Sequence, residues 1–250
     1  PKVMHALAGR PMIQHLLAAV RAAKLDRAVI VVGPEMESVA EAVAPVPAAV
    51  QKDRLGTGHA VLCAKDALKG FAGDVLVLYG DTPLLTPETL RRVMAARRKG
   101  AALVVLGFEP ADPGAYGRLV LGAKGGLDAI VEYKDATPQQ RAIRLCNSGV
   151  MAADAKLLFT LLSKVRNDNA KGEYYLTDVV ALARKKGLSC AAVRAPEEEL
   201  LGVNSRGELA VAEAVIQARL RARAMENGAT LIDPSSVFLS VDTKLGRDVT

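Results

Sequence analysis

Short apolar runs rich in β-branched residues alternate along the chain with stretches whose apolar positions recur at helical spacing. That alternation argues for an α/β fold in which a mostly parallel sheet is covered by helices. Ala28–Val32 and Val75–Leu78 lack polar alternation, which predicts strands buried on both faces, and Ala102–Phe108 is a third such run. Helices are predicted at Met12–Ala23, Gly58–Asp66, Pro87–Arg98, Ala155–Leu162 and Leu176–Lys185. Thr86-Pro87 supplies an N-cap followed by proline at the first helical position. Arg118–Leu121, Ile130–Glu132 and Ser148–Ala152 read as shorter strands of a second lobe facing the first.

Towards the end, Ser205-Arg206-Gly207-Glu208 has the form of a capping box and opens a long helix that Asn227-Gly228 stops. Beyond it the period changes. Leu231, Val237, Thr243 and Val249 recur every six residues, as do Leu239 and Leu245. A six-residue period predicts a left-handed parallel β-helix, and the stretch is read as the start of a longer repeat. At the other end, Pro1-Lys2-Val3-Met4-His5 begins without the strand and phosphate loop that normally precede the first helix of an α/β nucleotide site. The expectation is that the natural protein has residues upstream.

Composition narrows the picture. Half of the 250 residues are apolar, enough for a sizeable core without disulfides or structural metals. No apolar run approaches the roughly 18 residues of a membrane span, and no signal-peptide pattern opens the chain. Cys63, Cys146 and Cys190 are scattered, an odd count that argues for reduced, buried thiols in a cytoplasmic protein. His5, His15 and His59 show no metal-ligand spacing, which speaks against a zinc site. The net charge of +6 is spread over helix faces and comes without any RRM, KH or zinc-finger signature. Nucleic acid is therefore not expected as a partner; solvated helix faces, or a small polyanion such as a triphosphate, account for the charge.

Several segments carry candidate chemistry. In Leu76-Val77-Leu78-Tyr79-Gly80-Asp81-Thr82-Pro83 a hydrophobic strand ends in Gly-Asp, so Asp81 emerges at the carboxyl edge of the sheet, where open α/β sheets bind ligands. A carboxylate there is a natural Mg²⁺ ligand; a turn aspartate capping the next segment is the alternative. Gln51-Lys52-Asp53-Arg54-Leu55-Gly56-Thr57-Gly58-His59 follows a short strand and opens a helix. Gly56 and Gly58 allow close backbone approach, Thr57 can cap the helix or bond a base, and the Gln51 amide can both donate to and accept from a pyrimidine edge. The same loop alone also fits an ordinary cap. Tyr116-Gly117-Arg118, Glu132-Tyr133-Lys134 and Asn147-Ser148-Gly149 put polar groups at predicted strand ends, and Gly172–Asp178 and Val203-Asn204-Ser205 each precede a helix.

Taken together and in this order, these segments resemble the bacterial bifunctional N-acetylglucosamine-1-phosphate uridylyltransferase/glucosamine-1-phosphate acetyltransferase family. PKVMHALAGRPM is similar to the second half of that family's nucleotide signature. The likeness continues through QKDRLGTGHA, YGDTPLL, PGAYGRLV, IVEYKDAT, NSGVM, GEYYLTD and GVNSRGELA to IDPSSVFLSVDTKLGRDV. The resemblance implies a Rossmann-like nucleotidyltransferase domain with a mixed sheet over residues 1–205, expected to lack its first strand and glycine-rich loop. It further implies a long linking helix over 206–227 and the first turns of a left-handed parallel β-helix over 228–250, through which the longer parent would form a homotrimer.

Carried over by motif, Asp81 and Asn204 would hold a catalytic Mg²⁺ and Lys2 would contact the nucleotide phosphates. Gln51, Gly56 and Thr57 would bind the uracil end, and Tyr79 and Gly80 would line the nucleotide-sugar site beside the metal. Gly117, Glu132 and Asn147 would grip the N-acetylglucosamine moiety, with Tyr175 and Thr177 as neighbours. The implied reaction joins UTP to N-acetylglucosamine 1-phosphate, giving UDP-N-acetylglucosamine, a cell-envelope precursor, and pyrophosphate. Acetyltransferase activity would belong to a longer parent chain. Another sugar-1-phosphate nucleotidyltransferase, or a non-catalytic nucleotide-sugar-binding module, is the competing expectation.

Overall fold

In the computed structural model, which describes residues 1–25, 27–169 and 171–250, the chain opens with a 3₁₀ turn at Lys2–Met4 and a small hairpin. Its strands, β1 (Ala6–Leu7) and β2 (Arg10–Pro11), pair antiparallel. Helix α1 (Met12–Ala22) follows at once and buries Met12, Ile13, Leu16, Leu17, Ala19 and Val20, the one-sided stripe its spacing predicts. Then come β3 (Ile30–Val32), α2 (Glu37–Ala42), β4 (Ala48–Val50) and α3 (Thr57–Cys63). Strands β3 and β4 pair in parallel as a two-stranded sheet of their own.

The remaining elements are β5 (Asp74–Val77), α4 (Pro87–Arg98), β6 (Leu103–Phe108), β7 (Arg118–Leu121), β8 (Leu127–Val131), α5 (Pro138–Arg141), β9 (Cys146–Asp154), α6 (Ala155–Leu162), α7 (Asp178–Lys185), β10 (Cys190–Arg194) and α8 (Arg206–Glu226). The Thr86 side chain caps α4 at the Thr89 amide (3.2 Å) ahead of Pro87, as the sequence predicts. Glu199 in turn accepts from the Thr86 hydroxyl at 2.8 Å, tying that cap to a residue 113 positions later.

The main sheet has six strands, and its character corrects the expectation of a mostly parallel one. The order is β10-β6-β9-β7-β8, with β5 also paired to β9, and only β10 with β6 is parallel. The cause is β9, which re-enters the sheet in the opposite sense. Its last four residues run between β5 and β6, while Cys146 at its start lies between β6 and β7. Ser148–Ala152 is therefore not part of a separate facing lobe but lies within a long central strand, and the β7–β8 hairpin extends the same sheet.

Burial follows this order. All six residues of β6 are buried. Leu103 and Val105 face Leu158, Leu161, Val179 and Val180 of α6 and α7. Val104, Leu106 and Phe108 face Leu16 of α1 and Leu90, Val93 and Met94 of α4. Each such aliphatic side chain, fully withdrawn from water, contributes about 1.5–3 kcal/mol. By contrast, Ile30, Val31 and the whole of β5 are only half-buried, so neither run is covered on both faces as predicted. Each pairs with a single neighbour among the described residues, which leaves one edge without a packed strand.

Ser205 accepts from the Glu208 amide at 3.1 Å at the start of α8, but the reciprocal half of the predicted capping box is displaced by one residue. The Glu208 carboxylate accepts from the Asn204 amide at 2.7 Å instead. Residues 228–250 contain a 3₁₀ turn at Pro234–Ser236 and no strand among the described residues, and they run back along α8. The buried Gln217 amide donates to the Leu239 carbonyl (2.7 Å) and accepts from the Leu239 amide (2.8 Å). The Val241 amide reaches the Ala8 carbonyl at 3.0 Å. No described helix is long and apolar enough to cross a membrane.

Candidate active site

The carboxyl end of β5 presents Tyr79, Gly80 and Asp81. The Asp81 carbonyl accepts from the Val203 amide at 2.9 Å, which fixes the loop before α8 against the strand end. The next residue, Asn204, is thereby brought beside Asp81, and the Glu208 carboxylate on its amide holds it there. The Lys2 ammonium lies 2.8 Å from Asp81 Oδ2 and 2.7 Å from Asn204 Oδ1. Three residues distant in sequence thus meet at one point. A Cβ on Gly80 would sit 3.2 Å from Val3 Cγ1, so Gly80 lets the Lys2–Met4 turn lie against the strand end and bring Lys2 in.

The donor set suits a hard divalent cation. One carboxylate and one amide oxygen already converge on a cation, with the lysine ammonium as the stand-in ion. Mg²⁺ is held by few protein oxygens, completing its shell with phosphate and water. Among the described residues no group of three or more His, Cys, Asp or Glu is placed to hold a metal ion by itself.

The loop before α3 forms a second group. Gln51 donates to the Gly56 carbonyl (3.0 Å) and is in contact with His59 Nδ1 (3.1 Å). Gly56 has φ +104, and a Cβ there would lie 2.8 Å from the Tyr174 carbonyl oxygen, so this position has room only for glycine. Gly56 serves as the N-cap position, and the Thr57 hydroxyl instead accepts from the Leu176 amide at 3.0 Å. The Gly58 amide donates to the Tyr174 carbonyl and the Tyr174 amide to the Leu55 carbonyl, both at 2.8 Å. Residues 174–176 are therefore laced to the loop along their length.

The third group is a row across three strands. Arg118 is in register with Val131 and with Cys146, so Gly117, Glu132 and Asn147 form the next row beyond the ladder. The Asn147 amide donates to the Gly117 carbonyl at 2.8 Å. A Cβ on Gly117 would stand 3.4 Å from Glu132 Oε2 and 3.6 Å from Asn147 Cβ, so the three close on one small space. Thr177 donates to Glu132 Oε1 at 3.2 Å. Burial pushes the Glu132 carboxyl above the usual carboxylate range, with the Thr177 hydrogen bond opposing it. Tyr175 and Thr177 line a cavity of about 290 Å³ together with Glu132, Asp135 and Asp178. A second cleft of about 450 Å³ is bordered by Lys2, His5, Asn204 and Arg206.

Tyr79 joins the groups. Its ring lies on the backbone of Gly149, where a Cβ would be 2.5 Å from Tyr79 Cε2. Burial raises the Tyr79 hydroxyl above its usual range, the Thr57 hydroxyl beside it acting the other way. Gly149, Tyr174 and Glu208 received no role at the site from the sequence, although each lies in a segment singled out there. For Gly149 a signal existed, since glycine after Asn-Ser in a buried strand marks a close approach. Tyr174 acts through its backbone, which leaves no sequence pattern, and the capping-box pattern of Glu208 did not show that its carboxylate would hold Asn204.

Comparison with known proteins gives the family and the fold. Residues 1–152 match the MobA-like NTP transferase domain. The bifunctional protein GlmU of Paramagnetospirillum magneticum is 65% identical over 252 residues, covering all of this chain and 56% of that protein. The bifunctional protein GlmU of Rhodospirillum rubrum is 64% identical over 251 residues, with the same coverage. The chain thus spans about half the length of the curated relatives it matches. A crystal structure of UDP-glucose pyrophosphorylase complexed with UDP-glucose superimposes with a TM-score of 0.69 at 19% identity, covering 88% of this chain and 91% of that one. That likeness shows the fold, a Rossmann-like α/β architecture with a mixed sheet. With the match extending from Lys2 through Asp81 to Ala152, the chain belongs to the MobA-like NTP transferase domain family.

Proposed function

We propose that this chain transfers UMP from UTP to N-acetylglucosamine 1-phosphate, with Mg²⁺, releasing pyrophosphate and forming UDP-N-acetylglucosamine. The observation that carries the proposal is the convergence of Lys2, Asp81 and Asn204 at the end of β5, with the Gln51–Thr57 loop and the Gly117–Glu132–Asn147 row joined to it through Tyr79 and residues 174–177. Identity of 64–65% to bifunctional GlmU proteins over the whole chain supports the substrate choice.

The sugar phosphate is already ionised, so attack of its oxygen on the α-phosphorus of UTP needs positioning and charge neutralisation rather than a general base. Lys2 supplies a fixed positive charge to the phosphates. Asp81 and Asn204 would hold the Mg²⁺, whose Lewis acidity, when bound, offsets repulsion between the two anions. Gln51, Gly56 and Thr57 form the uracil end, and Tyr79 and Gly80 the floor beside the metal. Gly117, Glu132 and Asn147 hold the acceptor sugar, with Tyr175 and Thr177 behind Glu132.

The organisation is inferred in the same sense. Residues 1–205 are the uridylyltransferase unit, 206–227 the linking helix, and 228–250 the first turns of a left-handed β-helix that assembles a homotrimer in a longer parent carrying the acetyltransferase activity. Ile232 and Phe238, six residues apart and 87% and 74% exposed, support that reading of the last segment. Three free, separated cysteines support a cytoplasmic setting.

The test is pyrophosphate release with UTP, N-acetylglucosamine 1-phosphate and Mg²⁺, each omitted in turn. Release that needs all three, and falls about a hundredfold or more in Asp81→Ala, is expected. Equal release with glucose 1-phosphate would point to another sugar nucleotidyltransferase. UTP binding without release under any condition would leave a binding module.

A further inference from the structure

We propose that Arg118 is a positioning residue for the acceptor-sugar end of the site, an inference that rests on the function proposed above. Arg118 is 2% exposed, and no carboxylate pairs with it among the described residues. A buried cation without a counter-charge is costly unless its donors are all used. Here they go to main-chain carbonyls. Nη2 donates to the Gly114 carbonyl (3.1 Å), Nη1 to those of Pro113 (3.3 Å) and Tyr116, and Nε to that of Arg141 (3.3 Å). The guanidinium also lies 5.6 Å from the centroid of the Tyr133 ring, which carries Arg141 at 4.6 Å.

The placement matters because of the register. Arg118, Val131 and Cys146 form one row, and Gly117, Glu132 and Asn147 the next. Arg118 therefore follows Gly117 directly, stacks on the residue that follows Glu132, and sits one row from Asn147. It binds the loop leading into Gly117 and the turn leading out of Glu132 to one rigid plane. A purely structural strand position here would be filled at less cost by an aliphatic side chain, as at Leu119. The fork of five donors fixes a loop at several carbonyls at once, which a lysine cannot do. Its role is to hold Gly117 and Glu132 at the separation the sugar requires.

The experiment measures pyrophosphate release by the wild type, Arg118→Met, Arg118→Lys and Tyr133→Leu, varying UTP and N-acetylglucosamine 1-phosphate separately. Thermal midpoints are recorded alongside. The KM for N-acetylglucosamine 1-phosphate is expected to rise about tenfold to a hundredfold in Arg118→Met, with the KM for UTP within about twofold of wild type. Arg118→Lys is expected to recover less than half of that loss on a logarithmic scale. Should Arg118→Met fail to fold, Tyr133→Leu, at a half-exposed position, carries the test with the same selective rise in the sugar-phosphate KM. A lower melting point with both KM values unchanged, an equal rise in both, or full recovery by lysine would overturn the proposal. No release by the wild type with any sugar phosphate would instead overturn the functional reading on which it rests.

Discussion

Lys2 and Asp81 are 79 positions apart, yet the lysine ammonium stands 2.8 Å from the carboxylate and shares it with the side-chain oxygen of Asn204. The two oxygens proposed for the metal thus already hold a positive charge, and an incoming cation must displace it. Both side chains are partly exposed, at 40% and 26%, so water screens the pair and its worth is about 0–1 kcal/mol. Removing the ammonium in Lys2→Met is therefore expected to tighten Mn²⁺ binding without nucleotide by no more than about fivefold, while turnover falls about a hundredfold. Titration calorimetry with Mn²⁺ alone and a turnover assay check the two halves. Weaker metal binding in the variant would show that Lys2 helps the metal rather than competing with it.

Gly56 gives a second test. Its φ of +104 suits only glycine, and a Cβ there would meet the Tyr174 carbonyl oxygen at 2.8 Å and the Tyr174 amide nitrogen at 2.9 Å. Gly56→Ala must push residues 174–176 off the loop, straining the Gly58–Tyr174 and Thr57–Leu176 bonds together. Expected are a stability loss of about 1–3 kcal/mol by urea denaturation and a UTP affinity lowered tenfold or more. Unchanged UTP binding by calorimetry would show that the loop does not reach the nucleotide.

Much of this arrangement was legible in the sequence, because it rests on local rules. The α4 start at Thr86-Pro87, the α6 span and the end of α8 at Asn227-Gly228 follow from caps and periodicity. Asp81 was legible as a strand-end carboxylate. What stayed hidden depends on long-range pairing. A continuous apolar run reads the same whether its strand is parallel or antiparallel, so β9 could not be seen to reverse the sheet. Burial on both faces was inferred for β3 and β5 from their lack of polar alternation, although an edge strand can carry the same residues. The Lys2–Asn204 contact spans 202 positions and leaves no periodic trace.

The Glu132 carboxyl has a direction of pH dependence. Burial raises its pKa in the folded state, so the folded protein holds a proton that the unfolded chain gives up near the ordinary glutamate value of about 4.3. Its contribution to stability is complete below that value and is lost as pH rises through the raised folded pKa. Glu132→Gln keeps an oxygen for Thr177 but cannot ionise. The stability difference, wild type minus variant, is expected to fall with rising pH from just above 4.3 and then level off. Denaturant titrations at several pH values measure it; a difference that rises with pH would mean that the ionised form is the one the fold favours.

Among the ties that hold the tail after α8 is one buried side-chain amide. Gln217 is 2% exposed, and its side chain satisfies both the amide and the carbonyl of Leu239, at 2.8 and 2.7 Å. In Gln217→Leu those two backbone groups lose their partner while the volume is nearly kept, so the cost comes from unsatisfied polar groups rather than from a cavity, about 1–3 kcal/mol. Water can satisfy them only if the segment leaves α8. Faster amide exchange is therefore expected across 228–250, with exchange in α4 and β6 unaltered. Steady-state constants for both substrates should stay within about twofold, because Gln217 touches none of the residues at the end of β5. Altered exchange in β6 would mean that the tail supports the core itself, and that the nucleotidyltransferase unit depends on residues 228–250 for its own stability.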